Sequence, residues 1–151
     1  SGEKKQRGKR KINFVLLFKI NIDQMITVVA AIIQREGTYL IARRAAHKVH
    51  AAKWEFPGGK IDPDETPEKA IERELIEEFG IITKAGQHIT TNIFDYGNFQ
   101  IELMDYEVAH IKGVFQLTDH DQIAWVDKHN IHLYDLSGAD VGIWNVIEAS
   151  L

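Results

Sequence analysis

Glu74, Glu77 and Glu78 are the residues of this chain best placed to do chemistry. A helix advances about 100° per residue, so Glu77 falls roughly 60° to one side of Glu74 and Glu78 roughly 40° to the other. The three carboxylates therefore share one face. Upstream stands the turn Pro57-Gly58-Gly59, where the backbone can approach closely and the Gly59 carbonyl can add a further oxygen ligand. Oxygen donors suit Mg²⁺, with Mn²⁺ as a substitute, whereas zinc normally takes nitrogen or sulfur. Cations of this kind carry phosphates. The chemistry open to the pattern is hydrolysis of a phosphoanhydride, with a metal-bound or carboxylate-oriented water attacking phosphorus in line.

The element that must position these acids is a helix over 67–79. Thr66 is a good N-cap, Pro67 is pre-organised for the first helical position, and Gly80 suits the left-handed residue after the last turn. Ile71, Leu75 and Phe79 form the apolar row that docks the helix on a core. Ala70 falls in the acidic sector, where its small side chain is expected to leave room for a ligand. Electrostatically the arrangement is unfavourable: Glu74 and Glu78 repel at i, i+4 by about 0.2–0.5 kcal/mol, and Glu77 and Glu78 lie at the negative end of the dipole. Arg73 can reach Glu77 at i+4, and a bound cation would relieve the rest. A glutamate-rich helix face by itself is ordinarily just solvated. The full spacing of Gly59, Glu65, Arg73, Glu74, Glu77, Glu78 and Gly80, with two apolar positions, would arise by chance about once in ten million chains of ordinary composition.

That run, GKIDPDETPEKAIERELIEEFGI, resembles the signature of the Nudix hydrolases at every defining position. The flanking stretches VVAAII, ARRAA, WEFPGGKI and LSGAD, between about Met25 and Ala149, are similar to the MutT-type branch, the (deoxy)nucleoside triphosphate pyrophosphohydrolases, which includes enzymes acting on CTP or 8-oxo-dGTP. The resemblance implies a triphosphate substrate cut to monophosphate and pyrophosphate, as in nucleotide-pool sanitation. It implies Glu77 and Glu78 as metal ligands, Glu74 as ligand, water-orienting group or both, Arg73 as the residue that orients the glutamates, and Glu65 as a structural residue. Asp119 matches a loop carboxylate that some relatives use at the metal, although it is Asp rather than Glu and Asp121 lies close by. Arg44 resembles a phosphate-contacting arginine, with Arg43 beside it as the alternative. Glu55, Phe56 and Asp140 match positions of the nucleobase pocket. Asp140 stands where 8-oxoguanine-selective relatives often carry Asn. An ionised Asp only accepts, which suits exocyclic amino groups such as N4 of cytosine, whereas a protonated one also donates. Phe99 occupies a position where relatives often have Arg, so stacking would replace a hydrogen bond there. The competing readings are a Nudix hydrolase of another nucleoside diphosphate derivative, such as ADP-ribose or a sugar nucleotide, and a non-catalytic nucleotide-binding module, which the three intact glutamates disfavour.

The rest of the chain sets bounds. Its 151 residues suit one α/β domain. The β-branched 27–34 and the following 39–43, joined at Glu36-Gly37, read as strands, as do 54–56, 87–94, 99–111 and 123–126, with a closing helix over 139–149. Mixed strands with helices on both sides give an α/β/α sandwich with a mixed β-sheet, the same fold that the resemblance implies. Six Lys and Arg against one Glu give residues 1–11 a charge of +5, so a total of −4 leaves −9 on the remainder. Such an acidic body is a poor partner for duplex nucleic acid and needs metal ions to hold phosphates. The absence of cysteine fits a reducing, cytoplasmic location. Residues 1–24 form a basic and apolar extension outside the 25–151 domain, either an extended reading frame or added residues, with Ser1-Gly2 resembling a cleavage scar. Its apolar stretch is interrupted at Lys19 and Asn21 and is too short to span a bilayer, so no membrane partner is expected. Monomer and homodimer both remain open. The histidines, including His47 and His50 beside the site, lack the HExxH spacing or a cysteine neighbour and are expected to do no chemistry.

Overall fold

The computed structural model describes residues 25–48 and 50–151, so the expectations for the 1–24 extension lie outside the described residues. Strand β1 (Met25–Ile32) is apolar on both faces because it is covered on both. Val29 and Ala31 join one buried cluster, and Ala30 and Ile32 join a second. The next strands are β2 (Gln34–Arg35), β3 (Thr38–Arg44), β4 (Trp54–Glu55) and β5 (Gly58–Lys60). Helix α1 (Pro67–Phe79) precedes the long hairpin β6 (Ile82–Asp95) and β7 (Gln100–Lys112), followed by β8 (His120–Val126), a 3-10 turn at Ile131–Leu133 and helix α2 (Gly138–Ala149).

The strands form two four-stranded sheets rather than one. The first, in order β5-β1-β7-β6, is mixed: β1 runs parallel to β7 and antiparallel to β5. The second is antiparallel and centred on β3, which pairs with β2, β4 and β8. Strand β3 repeats the double burial of β1, giving Leu40 and Ala42 to the α1 side and Tyr39 and Ile41 to the α2 side. Helices on opposite faces make this the expected α/β/α sandwich. Among the described residues no helix is long and apolar enough to cross a membrane.

Strand β6 begins five residues before the expected 87. Its register against β7 shifts between Ala85 and His88 and again before Thr90, and bulges of this kind break the alternation from which a strand is read. Phe99, expected to open β7, lies in the turn before it, where its carbonyl accepts from the Tyr96 N–H at 3.0 Å.

Candidate active site

Helix α1 has the expected ends. Thr66 Oγ1 accepts from the Lys69 N–H at 3.2 Å, and Gly80, at φ 65°, donates its N–H to the Ile76 carbonyl at 2.9 Å. A side-chain cap of this kind stabilises a helix by about 1 kcal/mol. Ile71, Leu75 and Phe79 are fully buried. So is Ala70, which corrects the expectation that it leaves space for a ligand: it packs into the core on the α1 side.

Arg73 organises the acidic face. Its guanidinium donates to Glu65 at 2.7 and 2.9 Å, to Glu74 at 3.0 Å, to Glu77 at 3.2 Å and to the Lys60 carbonyl at 3.1 Å. The hydrogen bonds with Glu65 raise the Arg73 pKa and bring the Glu65 carboxyl down to about 2. Glu65 also accepts from the Asp62 N–H at 3.0 Å, closing the loop ahead of the helix. Glu65, read as structural, and Arg73, read as orienting the glutamates, are thus joined by two hydrogen bonds.

Glu78 is different. Its Oε2 is buried and has no hydrogen-bond partner. Burial pushes its carboxyl up to about 9, the charges of Glu74, Glu55 and Asp119 add to the push, and Arg44 opposes it. Burial also raises Glu74, against the pull of Arg73. Among the described residues no three carboxylate or imidazole groups converge into a cluster that would hold an ion as they stand. The reason is visible in the contacts: Arg73 holds Glu74 and Glu77, and Lys48 meets Asp119 at 3.1 Å. The donor set nevertheless fits a hard divalent cation. It is all oxygen, it includes the orphaned Glu78 oxygen, and Gly59 leaves space for it. A Cβ on Gly59 would lie 2.5 Å from Glu74 Cδ, whereas one on Gly58 would lie 1.9 Å from the Val29 carbonyl oxygen. The close approach expected at the double glycine is thus to the Glu74 carboxylate at Gly59 and to strand β1 at Gly58.

A cleft of about 940 Å³ runs from Glu78 to the N-terminus of α2. It brings together the expected Arg44, Glu55, Phe56, Gly59, Glu78, Phe99, Asp119 and Asp140. Arg73, Glu74 and Glu77 are not among its lining residues, and Glu77 is 58% exposed. Two open choices are narrowed by pairing. Arg43 binds Asp121 at 2.7 and 3.1 Å, and neither lines the cleft, whereas Arg44 and Asp119 do. Arg44 donates to Glu55 at 2.9 Å. Burial pushes the Glu55 carboxyl up, but hydrogen bonds from His120 and Arg44 outweigh it and leave the group below its ordinary value.

At the far end of the cleft, Asp140 Oδ1 accepts from the Phe56 N–H at 2.9 Å, and its Oδ2 accepts from the Ser137 hydroxyl. Burial raises its carboxyl to about 7. Asp140 therefore ties the start of α2 to the WEFPGG segment. The ring of Phe56 belongs to the core, and its backbone makes this tie. Tyr96 and Phe99 stack at the hairpin tip with centroids 5.3 Å apart and planes at 21°. Phe94 packs against Gly138 so closely that a Cβ there would come within 2.6 Å of the ring.

Three residues of the site were not singled out in the sequence. Tyr96 and Lys48 carry no motif of their own. His120 was set aside with the other histidines, yet it is buried, stacks on Phe79 at 5.1 Å and approaches Glu55 Oε1 at 3.4 Å. Its one local signal was its place beside Asp119.

Residues 28–146 match the family model of the NUDIX domain. The chain belongs to the Nudix family. A Nudix relative, the CTP pyrophosphohydrolase of Escherichia coli K12, is 37% identical over 118 residues, covering 78% of this chain and 87% of that protein. The 8-oxo-dGTP diphosphatase of Haemophilus influenzae is 35% identical, covering 70% of this chain and 79% of its own. Among solved Nudix structures, that of the E. coli ORF135 protein superposes with a TM-score of 0.74 at 36% identity, over 83% of this chain and 90% of the other.

Proposed function

We propose that this Nudix protein is a Mg²⁺-dependent nucleoside triphosphate pyrophosphohydrolase. It would release a monophosphate and pyrophosphate and so remove unwanted nucleotides from the pool. The observation that carries the reading is the buried, unpartnered Glu78 oxygen at the acidic end of a cleft whose other end is aromatic. Gly59, Glu74, Glu77, Glu78 and Asp119 would hold the ions. When bound, the ions would supply charge neutralisation on the phosphates and would acidify a water so that it gives up a proton as it attacks phosphorus. Arg73 fixes the direction of Glu74 and Glu77 through its hydrogen bonds to both. Arg44, aligned by Glu55, faces the phosphate chain as a planar donor. Tyr96 and Phe99 offer ring faces to the base, and Asp140 lies within the same end of the cleft.

On this reading the base is selected by stacking together with the Asp140 carboxyl. An ionised Asp140 favours a cytosine-type amino group, and a pKa of about 7 leaves room for a protonated form that tolerates other bases. A panel of normal, oxidised and methylated nucleoside triphosphates with Mg²⁺, read as pyrophosphate and monophosphate release, tests both parts. Release of pyrophosphate with a preference for cytosine nucleotides or a broad profile is expected. A wide preference for 8-oxo-dGTP over every pyrimidine would overturn the part given to Asp140. Glu77→Gln is expected to abolish Mg²⁺-dependent turnover while leaving the circular dichroism spectrum unchanged. Near-wild-type pyrophosphate release by that variant would refute the metal role.

A further inference from the structure

Among the described residues, Arg73 and Lys48 both contact carboxylates read as metal ligands, and they are held very differently. Arg73 is fixed, gripped by both oxygens of Glu65 and by the Lys60 carbonyl besides the acids that it serves. Lys48 has a looser hold. Its ammonium meets Asp119 Oδ1 at 3.1 Å, with both side chains partly open to solvent, and lysine carries its charge on a long stem of rotatable bonds. The backbone explains why this lysine is there. Ala45, just after β3, donates its N–H to the Asp119 carbonyl at 3.0 Å, and the Lys48 N–H returns to the Ala45 carbonyl at 3.0 Å. That turn brings Lys48 back over the Asp119 carboxylate. Lys48 also lines the cleft beside Glu78, Arg44 and Asp119.

A divalent cation that uses Asp119 competes directly with the Lys48 ammonium. The displaced lysine remains at the wall of the same cleft, where the phosphates carried by that ion would offer it new anionic partners. We propose that Lys48 is a movable counter-ion: it occupies Asp119 in the ion-free protein, yields it to the metal, and turns onto the phosphate chain of the nucleotide. This rests on reading the cleft as a metal–nucleotide site. A point charge with three rotatable donors suits both partners, whereas the fixed fork of an arginine would favour one. Lys53 provides a comparison within the same connection. It also lines the cleft, but its ammonium is held by Asp135 at 2.7 Å, and Asp135 does not line it.

Lys48→Met keeps most of the stem and removes the charge. Mn²⁺ binding to the nucleotide-free protein, followed by electron paramagnetic resonance of the free ion, is expected to tighten about two- to fivefold in this variant. The difference should shrink as salt is raised. Its KM for Mg²⁺-nucleotide is expected to rise about five- to tenfold. Lys53→Met should bind Mn²⁺ as the wild type does. Wild-type Mn²⁺ affinity in Lys48→Met, an unchanged KM, or equal tightening in Lys53→Met would overturn the exchange. A wild-type protein that releases pyrophosphate from no nucleotide would overturn the nucleotide reading instead, and the Mn²⁺ comparison would still decide the displacement of Lys48.

Discussion

Glu78→Gln should make the ion-free protein more stable at neutral pH while destroying its response to Mg²⁺. The Glu78 carboxyl is raised from 4.5 to about 9 by burial and by the acids around it. Below about pH 4.5 the folded and unfolded chains both hold this proton. Between about 4.5 and 9 only the folded chain holds it, so stability falls as pH rises through that window and levels off above it. At pH 7 the accumulated penalty is at most about 3 kcal/mol, and local relaxation reduces it to about 1–3 kcal/mol. Glutamine has the same shape and no charge to suppress. In EDTA at pH 7 its thermal midpoint should therefore lie above that of wild type by about 3–10 °C for a chain of this size. The gap should widen toward pH 8.5 and close toward pH 5. With millimolar Mg²⁺ the wild type should rise and the variant should not, because ion binding stabilises only the protein that binds it. Thermal unfolding by calorimetry at three pH values, with EDTA and with Mg²⁺, reads all of this. A variant that melts at or below the wild-type midpoint in EDTA at every pH, or that gains as much from Mg²⁺, would refute the assignment of Glu78 as a strained ligand.

Three further substitutions have definite expected outcomes. Gly58→Ala sets its new methyl against the fixed backbone of β1, so the thermal midpoint in EDTA should fall by the equivalent of about 3 kcal/mol or more. Gly59→Ala meets not backbone but the side-chain end of Glu74, which can turn aside at the loss of its Arg73 hydrogen bond, so it should cost about 1–2 kcal/mol while sharply reducing pyrophosphate release; the opposite ranking in stability would count against the site. Asp140→Asn should flatten the stability profile between about pH 4 and 7, the window in which the wild-type carboxyl, raised from 3.8 to about 7, holds a proton that the unfolded chain releases. The slope of thermal midpoint against pH checks this, and an unchanged slope would place the titration elsewhere.

What the sequence disclosed is what local spacing can carry. The carboxylates of α1, its Thr66 and Gly80 ends and the row Ile71, Leu75, Phe79 all lie within one helix, where 3.6 residues per turn converts order into position. Arg73 reaching Glu77 belongs to the same class. The undisclosed part depends on partners far away in the chain. Arg43 is removed from the cleft by Asp121, 78 residues on, and Glu55 is flanked by His120, 65 residues on. Lys48 acquires meaning only when β3 and β8 pair and bring Asp119 beneath it. The division into two sheets was hidden for a related reason: β1 and β3 are buried on both faces, so neither shows the alternation that marks a sheet with one wet side.

The contact of Phe94 with Gly138 has a consequence for how this protein can change. The aromatic hairpin tip and the helix that carries Asp140 are fitted to each other through a ring that occupies the place of a missing side chain. Any residue other than glycine at 138 demands a smaller residue at 94, and a smaller residue at 94 leaves a gap unless 138 grows. Neither position can drift alone. Tyr96 leans on the same Phe94 ring, with centroids 4.6 Å apart, so the fit between the tip and the helix can change only by paired substitution. Swapping the hairpin of a relative into this chain without its matching residue at 138 should displace the start of α2, however similar the grafted loop.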